Sequence, residues 1–378
     1  RRQHAAWAMG GALYACAGLL KPPLGGGMLV SAWLISRALR REGAPTRARL
    51  LALEAIFAGA LLPVLATIAW FARHGALGDA IETLFVFAPG YTRLSLQSHS
   101  VWQLCAGTVR ELVRVIAVPS LIGCALWALL PSGEAREGET PLHLIGALAP
   151  QLLGVALQAK LFPYHYGGIV PLAALFAGWG LWRIGRRLTH PAAALLGLML
   201  LTLLVYESPP VTPDLPDFWT RCQVRIGTLL QPSRKIAADD RLYSVADVDA
   251  GANRRLAQWL RVHTAPQAPV FLWGFEPIVY TLADRAPATR YLYDVPQRAR
   301  WSRERARRRM MADLAQAPPS AIVIERGDML PLVTGDRLDS AQALLHFPEL
   351  ARLITESYHP AVRFERFDVY LRDQGAQR

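Results

Sequence analysis

Apolar residues run almost unbroken through the first half of the chain and then give way to short, interrupted clusters. A helix that crosses a bilayer needs roughly 20 apolar residues, with about 17 as a lower limit. Seven stretches approach that length: 4–20, 22–38, 50–71, 111–130, 142–158, 166–184 and 190–206. The pattern therefore predicts a membrane domain of about seven spans over residues 1–206. Lys21-Pro22-Pro23 divides the first two stretches, because proline breaks a helix from its interior. In the long connection 72–110, Leu77, Ile81, Leu84 and Ala88 recur at helical spacing, with Asp79 and Glu82 off that stripe. This predicts an amphipathic helix lying in the membrane interface, stopped by Pro89-Gly90-Tyr91.

From residue 207 the pattern changes. Pro209, Pro210, Pro213 and Pro216 make a stiff exit from the last span, and 218–245 has no assignable period. Helices are predicted over 252–263, 277–283, 299–315 and 341–354, and strands over 270–273, 321–324 and 364–371. Strands interleaved with helices imply a small, mostly parallel α/β sandwich. The expected fold is thus a multi-span α-helical membrane domain followed by a small soluble α/β domain, 207–378. No period of 20–50 residues and no duplicated half stands out, which disfavours solenoids, propellers and repeat-built transporters.

Charge sets the orientation. Of the 41 Lys and Arg residues, 24 fall in 207–378 beside 21 acids, whereas 1–206 holds 17 basic and 8 acidic residues. Excess positive charge beside spans is first a topology signal. Arg1 and Arg2, then Arg37, Arg40, Arg41, Arg47 and Arg49, then Arg183, Arg186 and Arg187 all fall on one side if the spans alternate. That side reads as cytoplasmic. The loop 72–110, Lys21, the segment Lys160–Tyr166 and the whole of 207–378 then lie outside, which in a bacterium is the periplasmic face of the inner membrane. The opening Arg1-Arg2, followed directly by an apolar run, reads as an internal start and not as a signal peptide. Four cysteines with no CxxC spacing suggest neither a zinc site nor a disulfide framework. The run Arg298–Arg309 contains seven arginines. It reads as a solvated helix face; nucleic acid is disfavoured by the compartment.

Candidate chemistry gathers at the outer ends of the spans. Lys160-Leu161-Phe162-Pro163-Tyr164-His165-Tyr166 puts a cation, an imidazole and two phenols at one span mouth. Charged groups at membrane depth are costly and tend either to be functional or to snorkel. Lys160, His165, Tyr164 and Tyr166, with Lys21 at the same level, would suit a phosphate leaving group. The competing reading is an aromatic belt with a snorkelling lysine; it is favoured for Lys21 and more so for Arg73 and His74. No GxGxxG, Walker, HExxH or GxSxG pattern occurs. Asp247-Val248-Asp249 imitates a DxD metal triplet, yet reads as a helix N-cap.

These residues carry a resemblance. Lys160–Tyr166, followed by Pro171-Leu-Ala-Ala-Leu175, resembles a segment of GT-C type membrane glycosyltransferases, the protein mannosyltransferase and lipid A aminoarabinose transferase group. Gly18-Leu-Leu-Lys-Pro22 resembles a turn between spans in that group, and Thr83–Phe87 its interfacial loop. Val270-Phe-Leu-Trp-Gly-Phe-Glu-Pro277, with Tyr280 in register, is similar to the opening of its C-terminal soluble domain. The resemblance implies transfer of a sugar from a polyprenyl-phosphate carrier to a glycolipid, glycan or protein acceptor outside the cytoplasm, in some members with a divalent metal. It carries Lys160 and His165 as contacts to the carrier phosphate. The family's first large outer loop, which holds the general base, has no counterpart in this chain, so no catalytic base is assigned. A polysaccharide polymerase or ligase and a non-enzymatic transporter are the alternative expectations.

Overall fold

The computed structural model describes residues 2–96, 100–111, 140–187, 195, 197, 199, 218–243 and 249–373. The chain divides into two compact units, one of residues 1–86 with 95–211 and one of residues 87–94 with 212–378.

The first unit is helical. Its elements are α1 (Arg2–Leu20), α2 (Gly27–Arg41), α3 (Thr46–Arg73), α4 (Leu77–Glu82), α6 (101–111), α7 (Thr140–Gln158) and α8 (Ile169–Arg187). Helix α5 (Ala88–Leu96) belongs mostly to the second unit. Lys21-Pro-Pro does interrupt the helix, as a 3₁₀ turn over Pro22–Gly26. Small residues let α1 and α3 meet backbone to backbone. A Cβ at Gly11 would run into the Ile56 carbonyl, and one at Gly59 into the Ala8 carbonyl. Ala52, Ile56 and Ala60 complete the buried stripe of α3.

The expected seven spans are not all found as such. Among the described residues, one helix is long and apolar enough to cross a membrane, Thr46–Arg73. Helix α1 falls short because Gln3 and His4 occupy its first turns and glycines dilute it. Helix α2 has 15 residues and carries Arg37, Arg40 and Arg41, while Leu144–Gln158 and Ile169–Gly180 are apolar but shorter. The stretch 112–130 and most of 190–206 lie outside the described residues. The amphipathic helix also departs from expectation. Pro89-Gly90 does not stop it: a π turn over Thr83–Phe87 intervenes, and α5 continues to Leu96. Pro89 follows the π turn directly, and that local change of the hydrogen-bond ladder lets the helical run pass through the proline.

The second unit adds α9 (Phe218–Leu230), α10 (Lys235–Tyr243), α11 (Ala250–His263), β1 (Val270–Trp273), α12 (Ile278–Ala283), α13 (Val295–Arg298), α14 (Arg303–Gln316) and β2 (Ala321–Glu325). It ends with α15 (Pro331–Thr334), α16 (Ser340–Leu344), α17 (Pro348–Ser357), β3 (Tyr358–Arg363) and β4 (Phe367–Arg372). The sheet order is β1-β2-β4-β3. Only β1 and β2 are parallel; β4 runs antiparallel to both neighbours. The expected mostly parallel sheet is therefore a mixed one. The cause is β3, which the pattern does not predict: Pro360 and an exposed face hide it as a strand, and an edge strand with a bulge tolerates both. It forms a hairpin with β4, which fixes the reversed direction.

Both faces of the sheet are covered. Val270, Leu272, Val323 and Val369 pack under α11 and α12, while Phe271, Trp273, Ile322 and Ile324 pack against α14 and α17. The alternation follows from the period-2 geometry of strands. Segment Phe87–Leu94 joins this unit: Phe87 lies 5.7 Å from the Trp301 ring, and Gly90 leaves room for that indole. Asp249 caps α11, accepting from the Ala252 N–H at 2.8 Å; Asp247 and Val248 lie outside the described residues.

Candidate functional site

Within the first unit, the candidate residues of two distant segments come together. α7 ends at Gln158, and the chain then takes two left-handed steps, at Ala159 (φ 57°) and Leu161 (φ 51°), on either side of Lys160. Non-glycine residues in that region cost on the order of 1–3 kcal/mol each and cluster at functional sites. Pro163 opens a 3₁₀ turn, Pro163–Tyr166, that stacks the aromatic side chains. Phe162 and Tyr164 lie 5.7 Å apart at 18°, and Tyr164 meets His165 edge-on at 4.4 Å. The Lys21 ammonium sits over the Tyr164 ring, 5.3 Å from its centre. Such a cation–π contact holds Lys21 in place without neutralising it.

The cluster is more buried than an interfacial belt requires. Lys160 is 4% exposed and His165 7%. The Lys21 Nζ and the His165 Nδ1 are buried without a hydrogen-bond partner. Burial brings the Lys160 ammonium down to about 8. His165 is pushed down to about 4, by burial first and then by the Lys21 and Lys160 charges. At neutral pH the cluster is two ammoniums bearing on a neutral imidazole. An anion brought there would meet little screening.

The two tyrosines part company. Tyr164 is 70% exposed and its ring carries Lys21. Tyr166 is fully buried, packs with Val155 and Ile169, and donates its hydroxyl to the Thr108 carbonyl at 3.2 Å. It anchors α6 and α7 to the turn and offers no free donor to a ligand. Arg73 and His74 stand at the end of α3, where the His74 Nδ1 lies 2.7 Å from the Trp70 carbonyl oxygen.

Sequence reasoning passed over Gln151. It is the one polar side chain of α7 between His143 and Gln158, is 8% exposed, and its Oε1 has no partner. The signal was there: a lone glutamine in the interior of an otherwise apolar stretch.

A buried polar network in the second unit also escaped notice. It lies at the carboxyl ends of β1 and β2. Ser340 donates to Asp294 at 2.6 Å, Asp328 accepts from the Ser340 N–H at 2.7 Å, and Arg298 reaches Asp294, Asp336 and the Leu338 carbonyl. The arginine run read as a solvated face therefore splits. Arg298 is buried in this network, and Arg307 lies over the Phe347 ring, while Arg300, Arg303, Arg305 and Arg308 are exposed. Burial pushes Asp294 up to about 6 and Glu325 up to about 8. Glu276 and Asp328 are raised as well, mainly by burial.

Among the described residues no group of three or more His, Cys, Asp or Glu side chains is gathered to hold a metal ion, and the Lys21–Lys160 cluster repels a cation. The chain matches no family model, no curated protein and no solved structure.

Proposed function

We propose that this chain transfers a sugar from a polyprenyl-phosphate carrier to an acceptor at the outer face of a bacterial inner membrane. The observation that supports the reading is the cluster itself: Lys21, Lys160 and His165 buried together beside a strained turn, at the ends of apolar helices. Helix α3 spans about 42 Å at 1.5 Å per residue, more than the roughly 30 Å of hydrocarbon. Leu61, Leu62, Leu65 and Trp70 leave it with an uncovered apolar surface, which suits lipid. In this reading the helices of 1–206 are membrane-embedded in several spans, and 207–378 lies in the periplasm.

The chemistry follows from charge. An acceptor oxygen attacks the anomeric carbon, any proton it carries passes to water, the bond from that carbon to the phosphate oxygen breaks, and its electron pair goes to the phosphate. A phosphodiester with one charge becomes a monoester with two. Fixed ammoniums at the phosphate lower the barrier because they act on charge that develops in the transition state. His165, neutral, is free to hydrogen-bond a phosphate oxygen as its donor tautomer. The acceptor is a glycolipid, a glycan or a protein.

The test is direct. In the complete protein, Lys160→Ala and His165→Ala each weaken use of a polyprenyl-phosphate sugar, with a raised donor KM or a lowered kcat. Normal turnover and normal donor KM in both variants refute the phosphate role. Protease or cysteine-labelling maps that put 207–378 in the cytosol refute the orientation.

A further inference from the structure

Gln151 belongs to the same locus as the cation cluster. Pro150 presses on Gly26 and Gly154 on Pro23, so the α7 turn that carries Gln151 faces the Lys21–Gly27 segment. Gly168, three residues beyond His165, is crowded from both sides: a Cβ there would stand 2.9 Å from the Gln151 Oε1 and would strike Leu24. The segment that follows Lys21 and the segment that follows His165 therefore both pack against the α7 turn that bears the Gln151 amide. Val155, one turn along α7 from Gln151, packs on Tyr166 and Ile169 and fixes the helix face.

The unsatisfied atoms state which ligand chemistry would answer them. The Lys21 Nζ offers protons, the Gln151 Oε1 can only accept, and the His165 Nδ1 does either according to tautomer. A fully ionised phosphate satisfies the ammonium and gives the amide oxygen nothing. A ligand that carries anionic oxygens and hydroxyl groups a few bonds away satisfies both. A glycosyl phosphate is such a ligand, whereas the bare lipid phosphate left after transfer lacks the hydroxyls.

We propose that Gln151 is the residue that recognises the sugar of the carrier-bound donor, its side-chain oxygen accepting a sugar hydroxyl beside the Lys21–Lys160 phosphate cradle. This rests on the function proposed above and adds a specificity-determining contact to it. It also accounts for a buried amide with an empty acceptor in an apolar helix, where an unmade hydrogen bond destabilises the protein.

The experiment compares binding of a long-chain polyprenyl phosphate with binding of its mannosyl and arabinosyl diesters, to the complete protein in lipid nanodiscs. Wild-type protein binds at least one diester more tightly than the bare phosphate. Gln151→Met keeps the length of the side chain and removes the amide. It retains the wild-type Kd for polyprenyl phosphate, which also reports an intact fold, and loses about tenfold in affinity for the preferred diester, the worth of one hydrogen bond to an uncharged group. A deoxy diester lacking the contacted hydroxyl binds both proteins equally. Gln151→Ala repeats the comparison. If both variants lose phosphate and diester in parallel, or neither variant alters the preference for the diester, the inference is overturned. If Lys21→Ala and Lys160→Ala leave polyprenyl phosphate binding untouched, the phosphate cradle itself fails, whatever Gln151 does.

Discussion

Glu325 gives the sharpest numerical expectation. It is 1% exposed at the end of β2, accepts the Phe275 N–H on Oε2 at 2.7 Å, and lies 3.5 Å from Arg366. Burial, followed by the Asp328 charge, raises it from an ordinary value near 4.5 to about 8. A carboxyl whose pKa is raised by folding binds its proton more tightly in the native state. Its contribution is complete below about pH 4.5 and is lost as pH rises through about 8. Each tenfold gap between the two constants is worth about 1.4 kcal/mol, so the loss is on the order of 5 kcal/mol. Asp294 adds a loss of the same sign, but from its ordinary range up to about 6. Near pH 6.5–7 the slope due to Glu325 approaches about −1.4 kcal/mol per pH unit, and it falls to about half of that at pH 8. Glu325→Gln keeps an acceptor for the Phe275 N–H and cannot ionise. The variant should match wild type near pH 5 and exceed it by several kcal/mol at pH 8.5. Hydrogen exchange at the amides of β1 and β2 in the full chain, corrected for intrinsic base catalysis, measures both curves. A wild-type stability that is flat over pH 5–8.5, or a Glu325→Gln variant that keeps the wild-type slope, would show that the buried acid is not held protonated.

Four further outcomes are expected. Raising the pH through about 8 strips the proton from Lys160, so affinity for a phosphate-bearing donor should fall toward tenfold per pH unit above that value; a donor KM that is constant from pH 7 to 9.5 would remove Lys160 from the phosphate site. Gly59→Ala should destabilise the full chain by about 1–3 kcal/mol in thermal unfolding, because its Cβ has no room against the Ala8 carbonyl. Gly10→Ala, with open space at that position, should instead gain up to about 1 kcal/mol from helix propensity. Arg298→Ala leaves Asp294 and Asp328 buried without their cation and should cost about 3–5 kcal/mol, read as a lower midpoint in urea; a loss below about 1 kcal/mol would mean the acids are neutral without it.

Several elements were legible because a local pattern is enough to define them. Val270–Trp273 and Ala321–Glu325 are short apolar runs bounded by turn residues, and both form buried strands. Asp249 was readable as a cap because a short acidic side chain before a helical period has few other uses. Other features depend on distant partners. The predicted helix 341–354 divides at Phe347-Pro348 into α16 and α17, since the residue before a proline avoids the helical region. The helix predicted over 299–315 also starts late, with α13 and a turn ahead of it, because Arg298 is drawn into contacts with Asp336 and Leu338 some 40 positions away.

The division between an apolar half and an α/β half, the break at Lys21-Pro22-Pro23, and the grouping of cationic and aromatic residue types in Lys160–Tyr166 are all written in the local sequence. Tertiary structure alone decided which of those residues meet. It put Lys21 over Tyr164, turned the Tyr166 hydroxyl to Thr108, and left Gln151 with an unanswered oxygen beside Gly168. The reason is range. Periodicity and chain stiffness act over a few residues and are written locally, whereas burial, and with it the charge state of a lysine, a histidine or a glutamate, is a sum over neighbours that only the folded chain assembles.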